Sequence, residues 1–132
     1  MSRMEQLIAE HMHKSIHTSA HVQSFIEVDV TDLWDWREGI KQSFLQREGE
    51  KITFTPIFMM LTAQVLRDFP LLNSSLSGNK IIQKMDINLG MATALEDGNL
   101  IVPVIKNSDQ LSLVGFTLSL IHISEPTRLP GI

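Results

Sequence analysis

The chain has 132 residues, an apolar fraction of 43% and a formal net charge of −4 at pH 7, which suits one globular domain with its own core. The negative charge, without clustered Lys or Arg, argues against a nucleic-acid partner or a basic membrane-binding surface. The absence of Cys excludes disulfides and thiolate metal sites. Because no apolar stretch reaches about 18 residues and no signal-peptide pattern begins the chain, we expect a cytoplasmic protein with no membrane partner.

The first part of the chain carries one helix pattern and one strand pattern. Ser2 and Glu5 have the spacing of a capping box, and the apolar positions that follow predict a helix over residues 3–13. The polar residues 17–21 indicate a connection. Strict alternation over residues 22–30 then predicts a long strand with one wet or interfacial face.

Two more helices are predicted next. Thr31 or Asp32 can cap a helix that Gly49 ends. Thr55 before Pro56 repeats the start signal, because Pro at a first helical position loses no needed hydrogen bond. Residues 57–69 are apolar over most of the helix circumference, which predicts a central helix.

Residues 87–106 predict a β-hairpin. Ile87, Leu89, Met91 and Thr93 alternate with small or polar residues, so one face can pack on a core while the other is nearly bare. Turn residues around Asp97 and Gly98 lead into the apolar run 100–105. Pro103 cannot donate a hydrogen bond, so the returning strand lies at a sheet edge, at a bulge or where pairing stops.

The remaining elements complete the fold class. A turn at residues 77–79 separates two short strands, and residues 111–120 have a helical pattern. The order of elements predicts an α+β fold with helices packed on a mixed or antiparallel sheet.

Short motifs spread along the chain occur in the order found in one known family. They are residues 2–4, 8–12, 19–22, 28–31, 54–56, 69–73 and, most specific, 88–92 with 98–107. On these motifs the chain resembles the catalytic domain of the dihydrolipoamide acyltransferases, the core components of 2-oxo acid dehydrogenase complexes. The resemblance implies a chloramphenicol acetyltransferase-like fold.

The resemblance also implies an activity and its partners. The family moves an acyl group between a dihydrolipoyl thiol and coenzyme A, at sites between neighbouring subunits of a homotrimer that builds a larger symmetric core with the other subunits of the complex. Coenzyme A and the lipoyl group are substrates, and no metal is expected. The chemistry needs a general base and an oxyanion donor.

The family's catalytic base is missing from this sequence. In the family the base is the His of a His-x-x-x-Asp-Gly motif, with a Ser or Thr donor upstream, whereas Asp97 and Gly98 form the only Asp-Gly here and Thr93 stands four positions before Asp97. We therefore expect residues 1–120 to be the N-terminal half of the catalytic domain, truncated and inactive alone. Residues 121–132, with two prolines, are expected to be a non-native or disordered tail.

Four residues are candidates for binding coenzyme A or its pantetheine arm by this resemblance. Arg3 offers a cation to a phosphate, although Glu5 occupies the family's usual Arg position, so a solvated Arg is the alternative. His21 matches the family's His before the first strand, and its alternative is a structural imidazole-to-backbone hydrogen bond. Asn88 and Thr93 lie on or beside the bare hairpin face, where sheet packing is equally plausible.

The other conspicuous residues have simpler interpretations. His11, His13 and His17 are better explained as solvated positions than as a metal cluster, and Asp97 as a turn residue. Two functions from other classes stay open: a non-catalytic trimer-building scaffold and a coenzyme A-binding module. The methionines expected to fill the core are Met59, Met60, Met85 and Met91.

Overall fold

The computed structural model describes residues 3–94 and 100–124, with side chains as far as His122. The chain divides into two compact units, Met1–Asp32 and Leu33–Ile132. Within the described residues, helices combine with short antiparallel strand pairs. This arrangement confirms the predicted α+β class.

The N-terminal unit contains helix α1, Arg3–Thr18. The helix is longer than predicted, because Ile16 adds another turn to the apolar stripe that runs through Met4, Ile8 and Met12. The predicted connection at residues 17–21 is therefore wrong in its first part. No described residue of α1 is buried.

Residues 22–30 form neither a helix nor a strand, so the predicted strand is wrong. Alternation decides which face a side chain takes, but a strand also needs a hydrogen-bonded neighbour. None of the described strands pairs with these residues. The segment ends at Asp29, whose carboxylate accepts the Thr31 hydroxyl at 2.6 Å and the Thr31 backbone N–H at 2.9 Å. These bonds lower the pKa of Asp29.

Two long helices follow. Helix α2, Thr31–Glu48, ends at Gly49 as predicted, with Gly49 at φ +76° and its N–H donating to the carbonyl of Leu45 at 2.9 Å. Helix α3, Phe54–Asp68, begins one residue before Thr55, so Thr53 rather than Thr55 is the cap residue.

Helix α3 is packed on one side only. It buries Pro56, Ile57 and Ala63, whereas Phe58, Leu61 and Val65 on its other side are about half exposed. The expectation of a helix buried around most of its circumference is therefore too broad. Pro56 is tolerated in the first turn because N–H groups there have no intrahelical acceptor.

A short hairpin connects α3 to the second hairpin. Strands β1, Ser74–Ser77, and β2, Lys80–Gln83, pair antiparallel around Gly78 at φ +59°. The turn predicted at residues 77–79 is confirmed. Both strands are largely exposed.

Residues 87–94 and 100–106 form the two arms of the predicted hairpin. Strand β3, Leu89–Gly90, pairs with β6, Val104–Ile105, and β4, Thr93–Ala94, pairs with β5, Leu100–Ile101. Between the two pairs, the Met91 N–H donates to the Pro103 carbonyl at 3.1 Å, and Pro103 has no N–H to return the bond. The predicted interruption at Pro103 is confirmed, while the turn around Asp97 lies outside the described residues.

Helix α4, Leu113–Ser124, closes the hydrophobic core of this unit. The helix passes the boundary predicted after residue 120, and it can do so because Pro126 restricts only the residue just before it. The origin of residues 121–132 stays a prediction. We call the main buried cluster the hairpin core; its members are Ala63, Ile87, Ile105, Phe116 and Leu120.

A second cluster, the α2 core, joins Phe44, Ile52 and Ile57. Met59, Met60 and Met91 pack against the hairpin core as predicted. Met85 does not, since it is 85% exposed. It lies between β2 and the second hairpin, at a surface pocket that Leu66 and Ile87 also line.

Candidate functional site

A pocket of about 270 Å³ opens where α3 begins, between the second hairpin and α4. We call it the α3 pocket. Apolar groups form one part of its wall and hydroxyls with one ammonium form the other. The lining residues are Lys51, Thr53, Thr55, Pro56, Met91, Thr117, Leu120 and Ile121.

The start of α3 gives this pocket hydrogen-bond donors. Thr53 is the cap residue, but its side chain makes no capping hydrogen bond. The first backbone N–H groups of a helix have no acceptor within the helix and carry partial positive charge. Together with Lys51 they favour acceptor groups on a ligand, such as an amide carbonyl.

The loop that carries Lys51 is held in place by Arg37. The Arg37 Nε–H donates to the carbonyl of Ile52 at 3.0 Å, and the guanidinium lies 4.9 Å from the centre of the Phe54 ring. Glu38 accepts hydrogen bonds from Lys41 and from Arg37. The Lys41 bond is the main cause that lowers the pKa of Glu38.

The second hairpin supplies Met91 to the pocket, and a buried serine fixes the base of that hairpin. Ser108 is fully buried; its hydroxyl donates to the Ile105 carbonyl at 2.7 Å and accepts the Leu89 N–H at 3.2 Å. The Ser108 N–H donates to the Ile87 carbonyl at 2.8 Å. Sequence reasoning missed this residue, because nothing local marks a serine that bonds two strands.

One side chain of the returning arm lies close to the bare face of the hairpin. A Cβ added at Gly90 would lie 3.0 Å from Cγ1 of Val102. The odd positions 87–93 are buried or half-buried and the even positions 88–94 are exposed, as predicted.

Asn88 and Thr93 lie on opposite faces of this strand. Asn88 is exposed, and its side-chain Oδ1 accepts the Asn107 N–H at 3.0 Å, so it helps to close the base of the hairpin. Thr93 faces inward. Its Oγ1 is shielded from solvent and has no hydrogen-bond partner among the described residues.

Arg3 and His21 belong to the N-terminal unit. Arg3 is exposed in the first turn of α1. The His21 ring Nδ1 lies 2.9 Å from the carbonyl of Ser19, which is the backbone contact weighed in the sequence analysis. Both side chains are solvated.

The lining of the α3 pocket contains no His, Asp or Glu, and its one ionisable side chain is that of Lys51. In the described ranges, no three His, Cys, Asp or Glu side chains are grouped as metal ligands. In the same ranges no helix has the length and apolar character needed to cross a membrane.

Comparison with known proteins decides the family. The family model described as 2-oxoacid dehydrogenases acyltransferase (catalytic domain) matches residues 1–128. The chain belongs to this acyltransferase family. The chloramphenicol acetyltransferase-like, α+β class is confirmed with it, because the solved structures that the chain resembles are acyltransferase cores.

Relatives of this acyltransferase family act in several complexes. The chain is 40% identical over 125 residues to the lipoamide acyltransferase component of the branched-chain alpha-keto acid dehydrogenase complex of Bacillus subtilis, covering 95% of this chain and 29% of that protein. It is 35% identical over 130 residues to the dihydrolipoyllysine-residue acetyltransferase component of the Azotobacter vinelandii pyruvate dehydrogenase complex, covering 97% and 20%.

Solved acyltransferase structures match the fold closely. A probable dihydrolipoamide acetyltransferase from Listeria monocytogenes superposes with a TM-score of 0.88 at 37% identity, covering 97% of this chain and 54% of that one. The cubic core of a pyruvate dehydrogenase multienzyme complex gives 0.86 at 34% identity, with 97% and 53% covered. The chain thus spans about half the length of these solved structures and less than a third of the two curated relatives.

Proposed function

We propose that this chain is part of the catalytic domain of an acyltransferase that moves an acyl group between a dihydrolipoyl thiol and coenzyme A in a 2-oxo acid dehydrogenase complex. The observation that carries the proposal is the family match over residues 1–128. The chain's relatives include a lipoamide acyltransferase component of a branched-chain complex, a succinyltransferase component and an acetyltransferase component, and these names support this reaction class.

The α3 pocket suits one end of such a substrate. A pantetheine or lipoyl arm joins an apolar chain to amide groups, and the pocket pairs an apolar wall of Met91 and Leu120 with hydroxyls and Lys51. Thr93 does not line this pocket; we propose it as a separate binding residue, because its buried hydroxyl has no partner within the described structure. Asn88, Arg3 and His21 stay weaker candidates, since each is exposed.

The chain alone is expected to lack turnover. The sequence has no His-x-x-x-Asp-Gly motif, and neither an imidazole nor a carboxylate lines the α3 pocket. Without a general base, a factor of about 10² to 10⁴ in rate is lost. An assay that follows acetyl transfer from acetyl-coenzyme A to dihydrolipoamide should give the uncatalysed rate, while calorimetry with coenzyme A should detect binding.

Two results would contradict this account. Coenzyme A-dependent turnover by the purified chain would show that a catalytic base is present. If neither coenzyme A nor dihydrolipoamide binds, this part of the domain has no role in acyl transfer. A longer chain that contains a His-x-x-x-Asp-Gly motif is the positive control for the assay.

A second function, core building, is favoured by the similarity to a cubic core. Here the chain would form homotrimers that assemble into a larger symmetric core with the other subunits of the complex, with or without chemistry. Sedimentation equilibrium measures this directly: a trimer mass supports the scaffold role, and a mass that is never three-fold contradicts it.

A further inference from the structure

Helix α2 contacts the chain on both sides of Thr53. Before Thr53, the carbonyl of Ile52 accepts the Arg37 Nε–H at 3.0 Å. After it, the Phe54 ring lies 4.9 Å from Cζ of Arg37 and stacks on Trp34, with ring centres 5.4 Å apart. Trp34 and Arg37 are three positions apart in α2 and therefore lie on the same face of the helix. One face of α2 thus fixes the short loop that leads into α3.

This loop carries the one ionisable side chain of the α3 pocket, that of Lys51. Ile52, the next residue, is buried in the α2 core. Its carbonyl belongs to the planar peptide group that joins it to Thr53, so the bond from Arg37 fixes the orientation of that plane. Because Ile52 is anchored by its side chain and by its carbonyl, the neighbouring Lys51 starts from a fixed point.

The contact requires arginine rather than a positive charge alone. A guanidinium can donate through Nε while its flat face covers an aromatic ring, whereas a lysine ammonium is a compact point charge. The Arg37 side chain is only 19% exposed, and its Nη1 bonds the Glu38 carboxylate at 2.7 Å. Since Glu38 balances the charge of Arg37, the main effect of Arg37 on the loop is geometric.

We propose that Arg37 is a positioning residue for the α3 pocket, because it fixes the loop in the conformation that presents Lys51 to a ligand. This inference rests on the proposed function, in which the pocket binds one end of coenzyme A or of dihydrolipoamide. Arg37 does not line the pocket, so its effect on binding passes through the loop. A binding side chain that is already in place lowers the entropy lost when the ligand binds.

Calorimetry of the full chain with coenzyme A tests the effect on binding. Arg37→Met removes the guanidinium, and Arg37→Lys removes it but keeps a positive charge. Both should weaken binding by about tenfold, because neither can donate through Nε while covering the Phe54 ring. Arg47→Met is the matched control and should stay within about two-fold: Arg47 lies on the same helix, is 70% exposed and bonds the neighbouring Glu48.

A double-mutant cycle separates positioning from a general loss of stability. If Arg37 acts by placing Lys51, Arg37→Met should weaken binding by about tenfold in the wild-type chain but by less than about two-fold in a Lys51→Met background. Equal losses in the two backgrounds would overturn the proposal, because Arg37 would then act independently of Lys51. Wild-type affinity in Arg37→Lys would also overturn it, because charge alone would then suffice.

A measurement without ligand distinguishes failure of this inference from failure of the proposed function. NMR order parameters of the backbone N–H groups of Lys51 and Ile52 should fall in both Arg37 variants and stay unchanged in Arg47→Met. Far-UV circular dichroism should show the same helix content in all variants. Unchanged order parameters would overturn the positioning role. Order parameters that fall while the wild-type chain binds no coenzyme A would support that role and refute the proposed ligand.

Discussion

Thr93 places a hydroxyl in the interior where the described residues give it no partner. A buried polar group without a hydrogen bond costs about 1–3 kcal/mol, and replacing it with an apolar group of the same shape recovers part of that cost. A binding site retains such a group when the ligand supplies the missing bond. The unpaired Thr93 hydroxyl therefore lowers the stability of the free protein but offers a hydrogen bond to a ligand.

We therefore expect Thr93→Val to raise the free energy of unfolding by about 1 kcal/mol and to weaken the binding of coenzyme A or dihydrolipoamide. Urea denaturation measures the first and calorimetry the second. Thr93→Ser keeps the hydroxyl and is the control for binding. A destabilised Thr93→Val variant would mean that the hydroxyl is already satisfied.

Single residues with local chemistry could be predicted from the sequence, whereas residues with distant partners could not. Gly49 and Gly78 have positive φ where helix-end and turn patterns require it. The sequence around Ser108 does not mark it as a structural residue, because strand pairing brings its hydrogen-bond partners Ile105 and Leu89 together. Thr93 was a candidate for its place in the hairpin, but its missing partner is visible only in the structure.

At the scale of elements, the hairpin base depends on Ser108. We expect Ser108→Ala to lower the free energy of unfolding by about 1–2 kcal/mol, because the buried Ser108 hydroxyl makes one bond to each of the two strands at the base of the hairpin. The measurement is urea denaturation. Ser43→Ala is the control, since that exposed hydroxyl bonds only the Ile40 carbonyl in its own helix, and its effect should stay within about 0.5 kcal/mol. Equal effects of the two variants would argue against the Ser108 contacts.

The helices and the hairpin were predictable because their patterns depend on residues that are close together in the sequence. The faces of residues 87–94 follow from alternation alone. Residues 22–30 alternate just as strictly yet form no strand, because pairing requires a partner elsewhere in the chain or in another chain. Helix ends were less predictable: α1 extends to Thr18 and α3 starts at Phe54.

At the scale of the molecule, the unit Leu33–Ile132 holds both buried clusters. Phe116 is fully buried in the hairpin core. We expect Phe116→Ala to cost about 3–5 kcal/mol, a large share of the 5–15 kcal/mol typical of a native domain.

The two tryptophans, Trp34 and Trp36, lie on α2 and report on the other cluster. If the unit unfolds cooperatively, their fluorescence midpoint in urea should fall with Phe116→Ala. Phe69→Ala, at an exposed position, is the control. An unchanged midpoint would mean that the hairpin core and the α2 core unfold separately.

The family could be read from short motifs, because their order and spacing are specific, and residues 88–92 with 98–107 carried most of that signal. The α3 pocket could not, since Lys51, Met91 and Thr117 meet only after folding. Arg3 and His21 were chosen by position in the family and are solvated in this structure.

Pro103 interrupts the pairing of the second hairpin and separates it into two strand pairs. Between the outer and inner strand pairs, the described residues form one backbone bond, from the Met91 N–H to the Pro103 carbonyl. Ser108 and Asn88 bond the base of the hairpin. Met91 lies at this interruption and also lines the α3 pocket, so the pocket borders the part of the hairpin that has the fewest backbone bonds.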